Sequence, residues 1–271
     1  MEYGDLRSRL QMYMGSGVSN ETQKPCAVED DVENVLRGSV CSNDDGSFYL
    51  VENRYPLSHI HGGTALGEAL NIDISSLGRI CSELSENSSI SEFLFLDTET
   101  TGLSGGAGTV AFLIGVGYFE DECFVMKQYF MRDYDEEPAV LRGLNELLSS
   151  HTGLVTFNGK AFDWNLLQGR FVFNRIRPAL TNPVHIDLLF PSRMIWKTML
   201  DSCRLVSLEE NILGEHRVGD IPGAMIPPVY FKYLEDRDVM GIKDIIKHNE
   251  LDIKSMVSLF VKIASMVENP V

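Results

Sequence analysis

No stretch of this sequence comes near the roughly 18 consecutive apolar residues that a membrane-spanning helix needs. The longest candidate, TVAFLIGVGYF (109–119), is too short and carries two glycines. The opening MEYGDLRSRLQMYMG has no apolar h-region, so no secretory signal is expected. Cysteine is sparse: Cys26, Cys41, Cys81, Cys123 and Cys203 are scattered, odd in number and never in a CxxC pair. That pattern argues against a disulfide framework or a zinc ribbon and for a reducing cytoplasm. GxxxxGK[ST] and HExxH are absent. The fragments GGAG and GVG fall short of GxGxxG and read as turns or close-packed strand.

Basic residues are also in short supply. Lys and Arg number 23 against 39 Asp and Glu, a formal charge of −16. Taken alone this speaks against a polyanionic partner, because phosphates want a basic face. The distribution softens the objection. Between His151 and Arg204 the basic residues are Lys160, Arg170, Arg175, Arg177, Arg193, Lys197 and Arg204, and the acids are Asp163, Asp187 and Asp201. Seven against three is a local +4, which leaves −20 for the rest of the chain. A few arginines solvated on helix faces would give the same count.

What is present is a 271-residue chain, 44% hydrophobic, enough for one large domain or a domain with an extension. It opens with a short amphipathic stretch and a polar, acidic run, SGVSNETQKPCAVEDDVEN, that reads as loosely ordered. NDDGSFYLVENRYPL offers a turn and a strand, and ALGEALNIDISSLGRICSEL reads as short helical pieces. The serine-rich connector SENSSIS (85–91) marks a domain boundary. Residues 1–90 are then an N-terminal extension, partly ordered, and 91–271 the main domain.

From residue 92 the pattern is regular. FLFLDTE, TVAFLIGVGYF and CFVMKQYFM are strands, and the tight turn in YFEDE makes the three an antiparallel meander. DEEPAVLRGLNELLSS is a helix, with acids and Pro138 in its first turn. GLVTFN is a strand reached by a crossover and so parallel to the first. FDWNLLQGRFVFNRI is a second helix and VHIDLLF a fifth strand. DRDVMGIKDIIKHNELDIKSMVSLFVKIASMV supplies a short helix and a long terminal one. Three antiparallel strands, then two parallel strands alternating with helices, is the order of a ribonuclease-H-like α/β fold, a mixed five-stranded sheet flanked by helices.

Within this frame the first strand of the meander ends in charge. Asp97 and Glu99 are two residues apart, so they face one way, roughly 6.5 Å apart at about 3.3 Å per residue. Two acids this close repel, and a divalent cation removes the conflict; all-oxygen ligands suit Mg²⁺ or Mn²⁺. A bare DxE pair also fits an exposed strand end with two solvated acids. Two further segments add to it. VTFNGKAFDWNLL puts Asp163 in the first turn of a helix, where the dipole favours a carboxylate. HNELDIKSM puts Asp252 inside the terminal helix with His248 one turn earlier on the same face. An acid and a histidine stacked on an otherwise apolar face are poor core choices without partners. Four carboxylates and a histidine suit phosphodiester hydrolysis, in which two metals about 3.5–4 Å apart clamp the attacking and leaving oxygens. Asp97 would bridge the pair, and His248 can accept a proton from water near neutral pH.

At these residues the sequence resembles the DEDD family of 3′–5′ exonucleases, and most of all the YprB-like ribonuclease-H-like group. LDTETTG resembles the first exonuclease motif, FNGKAFDWNLL the second and HNELD the third. ENRYPLSHIHGG, HIDLL, SLEENILG and DIPGAMIPPVYFKYL resemble further segments of the group, so the likeness runs from about residue 48 to the end. It implies a 3′–5′ exonuclease using two Mg²⁺ or Mn²⁺ ions on a nucleic acid, with a single-stranded 3′ end threaded into the site. It implies Asp97, Glu99, Asp163 and Asp252 as metal ligands and His248 as general base. One position departs from the pattern: His248 stands four residues before Asp252, the spacing of family members that use tyrosine, whereas histidine usually stands five before. Asn158, Phe162 and Thr98 are candidate contacts to the terminal nucleotide, although Phe162 also suits core packing. Asp187 suits a structural hydrogen-bonding role or support of the metal shell. His59 and His61, and the two tryptophans Trp164 and Trp196, read as structural. The alternative from another class is a module that keeps this fold and binds nucleic acid or protein without turnover, and an endonuclease on the same fold is a third reading.

Overall fold

The structure, a computed structural model, describes residues 32–79, 81, 84, 88–102 and 108–268. The amphipathic opening, most of the polar acidic run, the first part of the serine-rich connector and all but Gly108 of GGAG lie outside the described residues. A short helix, Val32–Leu36 (α1), leads into a hairpin of Ser39–Asn43 (β1) and Gly46–Pro56 (β2). Two short strands, Ile60–His61 (β3) and Thr64–Ala65 (β4), and 3₁₀ turns at Leu66–Asn71 and Ile74–Arg79 follow. The meander is Phe93–Thr100 (β5), Ala111–Glu120 (β6) and Cys123–Phe130 (β7). Its second turn is two residues long, with Asp121 and Glu122 at φ of 48° and 59°. Such left-handed pairs match the twist of a tight hairpin.

Glu137–Leu148 (α2) has Pro138 in its first turn and buries Val140, Leu141, Leu144 and Leu148, a helical stripe. It carries the chain over the sheet to Gly153–Thr156 (β8), which pairs parallel with β5. Asp163–Phe173 (α3) crosses in the same way to Val184–Asp187 (β9), parallel to β8. Leu189–Trp196 (α4), Leu205–Leu208 (α5) with its π turn Glu209–Leu213, and Ile226–Asp236 (α6) precede Met240–Glu268 (α7). The short helix expected ahead of the terminal one is absorbed into α7, which runs 29 residues without a break.

The sheet order is β1-β2-β7-β6-β5-β8-β9. The five strands expected from the sequence are its centre and one flank; β1 and β2 add two more, because β2 pairs antiparallel with β7 from Tyr49 to Pro56. Alternation splits the side chains of β5 between two cores. Phe93 and Phe95 pack with Leu66, Ile74 and Phe260 on one side. Leu94 and Leu96 pack with Leu144, Trp164 and Leu167 on the other. Trp164 and Trp196 are both buried packing residues, and His61 is buried with its Nε2 2.7 Å from Ser255 Oγ. Among the described residues no helix is long and apolar enough to cross a membrane.

β5 lies where the sheet changes from antiparallel to parallel pairing, and it meets β8 only from Phe93 to Phe95. Its carboxyl end is therefore open on one side, the crevice where ligands bind in open α/β sheets. α7 packs across β5 and β6 at this end. The approach depends on the GVG fragment. A Cβ at Gly115 would stand 2.0 Å from Asn249 Oδ1 and 2.6 Å from Ile253 Cδ1. One at Gly117 would stand 2.3 Å from the Phe124 ring. Gly115→Ala should therefore destabilise by about 1–3 kcal/mol through overpacking, read as a lower urea midpoint. An unchanged midpoint would show that α7 does not rest on this strand.

Candidate metal centre

The acids meet because the end of β5, the start of α3 and the interior of α7 come to one place. Asp97 and Glu99 stand on β5 opposite Gly115 and Leu113 of β6, and a bulge follows at Glu99/Thr100. Asp163 is the first residue of α3, buried, where unpaired amides and the helix dipole favour a carboxylate. His248 and Asp252 lie one turn apart on α7, with His248 Nε2 3.6 Å from Asp252 Oδ2. Glu99, His248 and Asp252 each offer a donor atom, and the three atoms lie within 4.8 Å of one another. Asp97 and Asp252 face a common pocket of about 450 Å³ that is also lined by Phe157, Asn158, Arg193 and Arg204. Asp163 Oδ1 accepts a short hydrogen bond from Thr98 Oγ1.

The charges show the strain of this crowding. Burial pushes Asp97 well above the usual carboxylate range, and the charges of Asp252 and Asp163 push it further. Glu99 is raised well above its usual range by burial first, then by Asp97, Asp252 and Asp163. Burial takes Asp163 up to about 6, although the Thr98 hydroxyl opposes the rise. Burial alone would lower His248, but the Asp220 hydrogen bond and the Asp252 charge outweigh it and its pKa rises.

Several of the groups that hold these side chains were not legible beforehand. Asn249 is fully buried, and its Nδ2 donates to Asp97 Oδ2 at 2.8 Å. Its own orientation is fixed by Gln128 Nε2, which donates to Asn249 Oδ1 at 2.9 Å. Asp220 Oδ2 accepts from His248 Nδ1 at 2.8 Å. Arg217 donates from Nη1 to Asp220 and from Nη2 to both Glu209 and Asp252. A lone buried Asn beside His248 was the available signal for Asn249. Arg217 stands 35 residues from Asp252, and no spacing rule links them.

The remaining expected contacts lie beside the centre. Asn158 is exposed at φ 68°, a left-handed position that Asn tolerates. Asp187 pins that loop: Oδ1 accepts from the Asn158 and Leu189 amides and Oδ2 from the Lys160 amide. Its hydrogen bonds are to backbone, so it builds the pocket wall. Phe162 is half-buried beside Asp163. Thr98 is buried and bonded to Asp163.

Residues 94–264 match the family described as the RNase_H superfamily (RNase_H_2), and the chain belongs to that superfamily. Its domain is thus of a nuclease type. The chain is 35% identical over 230 residues to "Uncharacterized protein YprB" of Bacillus subtilis (strain 168), a match covering 83% of this chain and 55% of that protein. It spans about half the length of this curated relative.

A carboxyl whose folded pKa lies above its unfolded one holds its proton more tightly when folded. Its favourable contribution is complete at low pH and is lost as the pH rises from the unfolded value through the folded one. For Asp163 that window runs from about 3.8 to about 6. In EDTA, Asp163→Asn should therefore gain stability over wild type across this window, by on the order of 1–3 kcal/mol. Urea midpoints at several pH values read the difference, and a difference that does not change with pH would contradict it.

Proposed function

We propose that this protein is a metal-dependent 3′–5′ exonuclease acting on single-stranded nucleic acid. The observation that carries the reading is the meeting of Glu99, His248 and Asp252, with Asp97 and Asp163 close enough for their charges to act on the same acids, at the open end of β5 beside a pocket lined by Asp97, Asp252, Arg193 and Arg204. The donor set fits divalent cations. Its oxygens are crowded, buried enough to hold protons, and drawn from three rigid elements. Asp97, Glu99, Asp163 and Asp252 would hold two Mg²⁺ or Mn²⁺ ions. Such ions, when bound, polarise the phosphoryl oxygens and lower the pKa of water.

The protein's own groups account for the rest. Asp220 accepts the Nδ1 proton of His248, which leaves Nε2 of the neutral ring as the proton acceptor. Nε2 points into the acid cluster, where it can take the proton of an attacking water. Asn249 holds one Asp97 oxygen, and Asp97 lines the pocket. Arg193 and Arg204 stand where a phosphate of the strand would pass.

The test is degradation of a 5′-labelled oligonucleotide, as DNA and as RNA, with Mn²⁺ or Mg²⁺. A ladder shortening from the 3′ end is expected, lost in EDTA and in Asp97→Ala. His248→Ala should lower kcat by about 10²–10⁴-fold, the range of general-base removal. Asp220→Asn should lower it less, with KM unchanged. Cleavage of a circular strand would make the protein an endonuclease. Absence of cleavage under every condition would leave a binding module.

A further inference from the structure

The outer face of α4 is unlike the rest of this acidic surface. Phe190, Arg193, Met194 and Lys197 fall at i, i+3, i+4 and i+7, so they form one stripe along the helix and its C-cap. That spacing usually marks a buried face. Here it is turned to solvent: Phe190 is 56% exposed and Met194 78%. The opposite face carries the core contacts, with Leu189, Pro191, Ser192 and Trp196 buried. The stripe is built, because the start of α4 is fastened to the β9 end by Asp187 through the Leu189 amide.

Charge and position distinguish it further. Of the seven basic residues between His151 and Arg204, Arg170 is consumed by a buried ion pair with Glu137. Elsewhere Arg54, Arg132, Arg142, Arg217, Arg237, Lys127, Lys232 and Lys254 are likewise paired to acids. Arg193, Lys197 and Arg204 are exposed and make no ion pair with a described acid. Arg193 and Arg204 also line the pocket that holds Asp97 and Asp252. The stripe therefore begins at the wall of the acid site and runs away from it.

We propose that this α4 stripe is the track for the single strand behind its 3′ end, which rests on the nuclease reading for its polarity. Arg193, Lys197 and Arg204 meet successive phosphates, and Phe190 and Met194 offer apolar surface on which bases lie. A polyanion with flat apolar faces is the ligand that uses both features at once, and alternating cations with aromatic surface is the usual single-strand platform. A folded protein partner would use the apolar residues but would need acids to meet the three cations.

The test separates the track from the catalysis. Binding of a fluorescein-labelled single strand of about 20 nucleotides is followed by anisotropy in EDTA, where metal-dependent cleavage cannot remove the probe, at about 50 and about 200 mM salt. Arg193→Ala/Lys197→Ala should weaken binding about tenfold and flatten the salt slope by about 1.4, two contacts at about 0.7 each. Phe190→Ala/Met194→Ala should weaken it about fivefold or more with the slope unchanged. Arg175→Ala/Arg177→Ala removes two equally exposed cations beyond the far end of α3 and should change nothing. Absence of wild-type binding overturns the track, and so does equal weakening by the Arg175/Arg177 control. Track-dependent binding without cleavage at any metal would overturn the nuclease reading and leave the track standing.

Discussion

Everything at this site follows from the repulsion between carboxylates fixed at the tip of β5. Asp97 and Glu99 cannot be moved apart, because the strand that carries them is held by β6 on one side and by β8 at its base. Burial and their neighbours push both well above the usual carboxylate range. Such an arrangement costs stability unless a cation joins it, so the fold is built to tolerate it elsewhere. Gly115 opposite Asp97 removes a side chain that would block α7, and the space is filled by the Asn249 amide. Gln128, on β7, then fixes which end of that amide faces the acid.

Asp252 is handled differently from Asp97. It shares Arg217 with Glu209 and Asp220, a buried network in which one guanidinium serves three carboxylates. The same arginine and His248 both bind Asp220, so the third acid of α7's surroundings is also the group that orients the histidine. The spacing of four residues between His248 and Asp252 places both side chains on one turn, and the geometry needs no fifth residue: Nε2 reaches the same cluster as Glu99. Asp252 is thus matched to an internal cation, whereas Asp97 makes no ion pair with a described cation, and both line the pocket.

Much of this was legible in the sequence, and the reasons are local. The continuous apolar run 93–96 that stops at Asp97 locates β5, and the acids and Pro138 locate the start of α2. Asp163 is visible at the first turn of a helix that follows a strand, and the His248/Asp252 pair because it interrupts an apolar face. What was not legible depends on contacts between distant segments. β2 joins the sheet through backbone pairing with β7, and β1 through pairing with β2, which leaves no side-chain signature. Arg217 and Asp220 lie in an irregular segment, where composition marks no face, and Glu209 opens a π turn. The basic segment 151–204 was visible as a local charge excess, but its meaning needed the structure, which shows Arg170 spent internally and the α4 residues turned outward.

Asp97, Glu99, Asp163 and Asp252 are proposed as one divalent-cation site. Titration calorimetry with Mn²⁺ near neutral pH, repeated in two buffers of different ionisation enthalpy, tests it without reference to any substrate. The account predicts saturable binding of two ions per chain with net release of protons, since raised carboxyls must give up theirs to the metal. It predicts loss of that binding in Asp97→Ala. Absence of saturable Mn²⁺ binding, or binding with no proton release that survives Asp97→Ala, would contradict it.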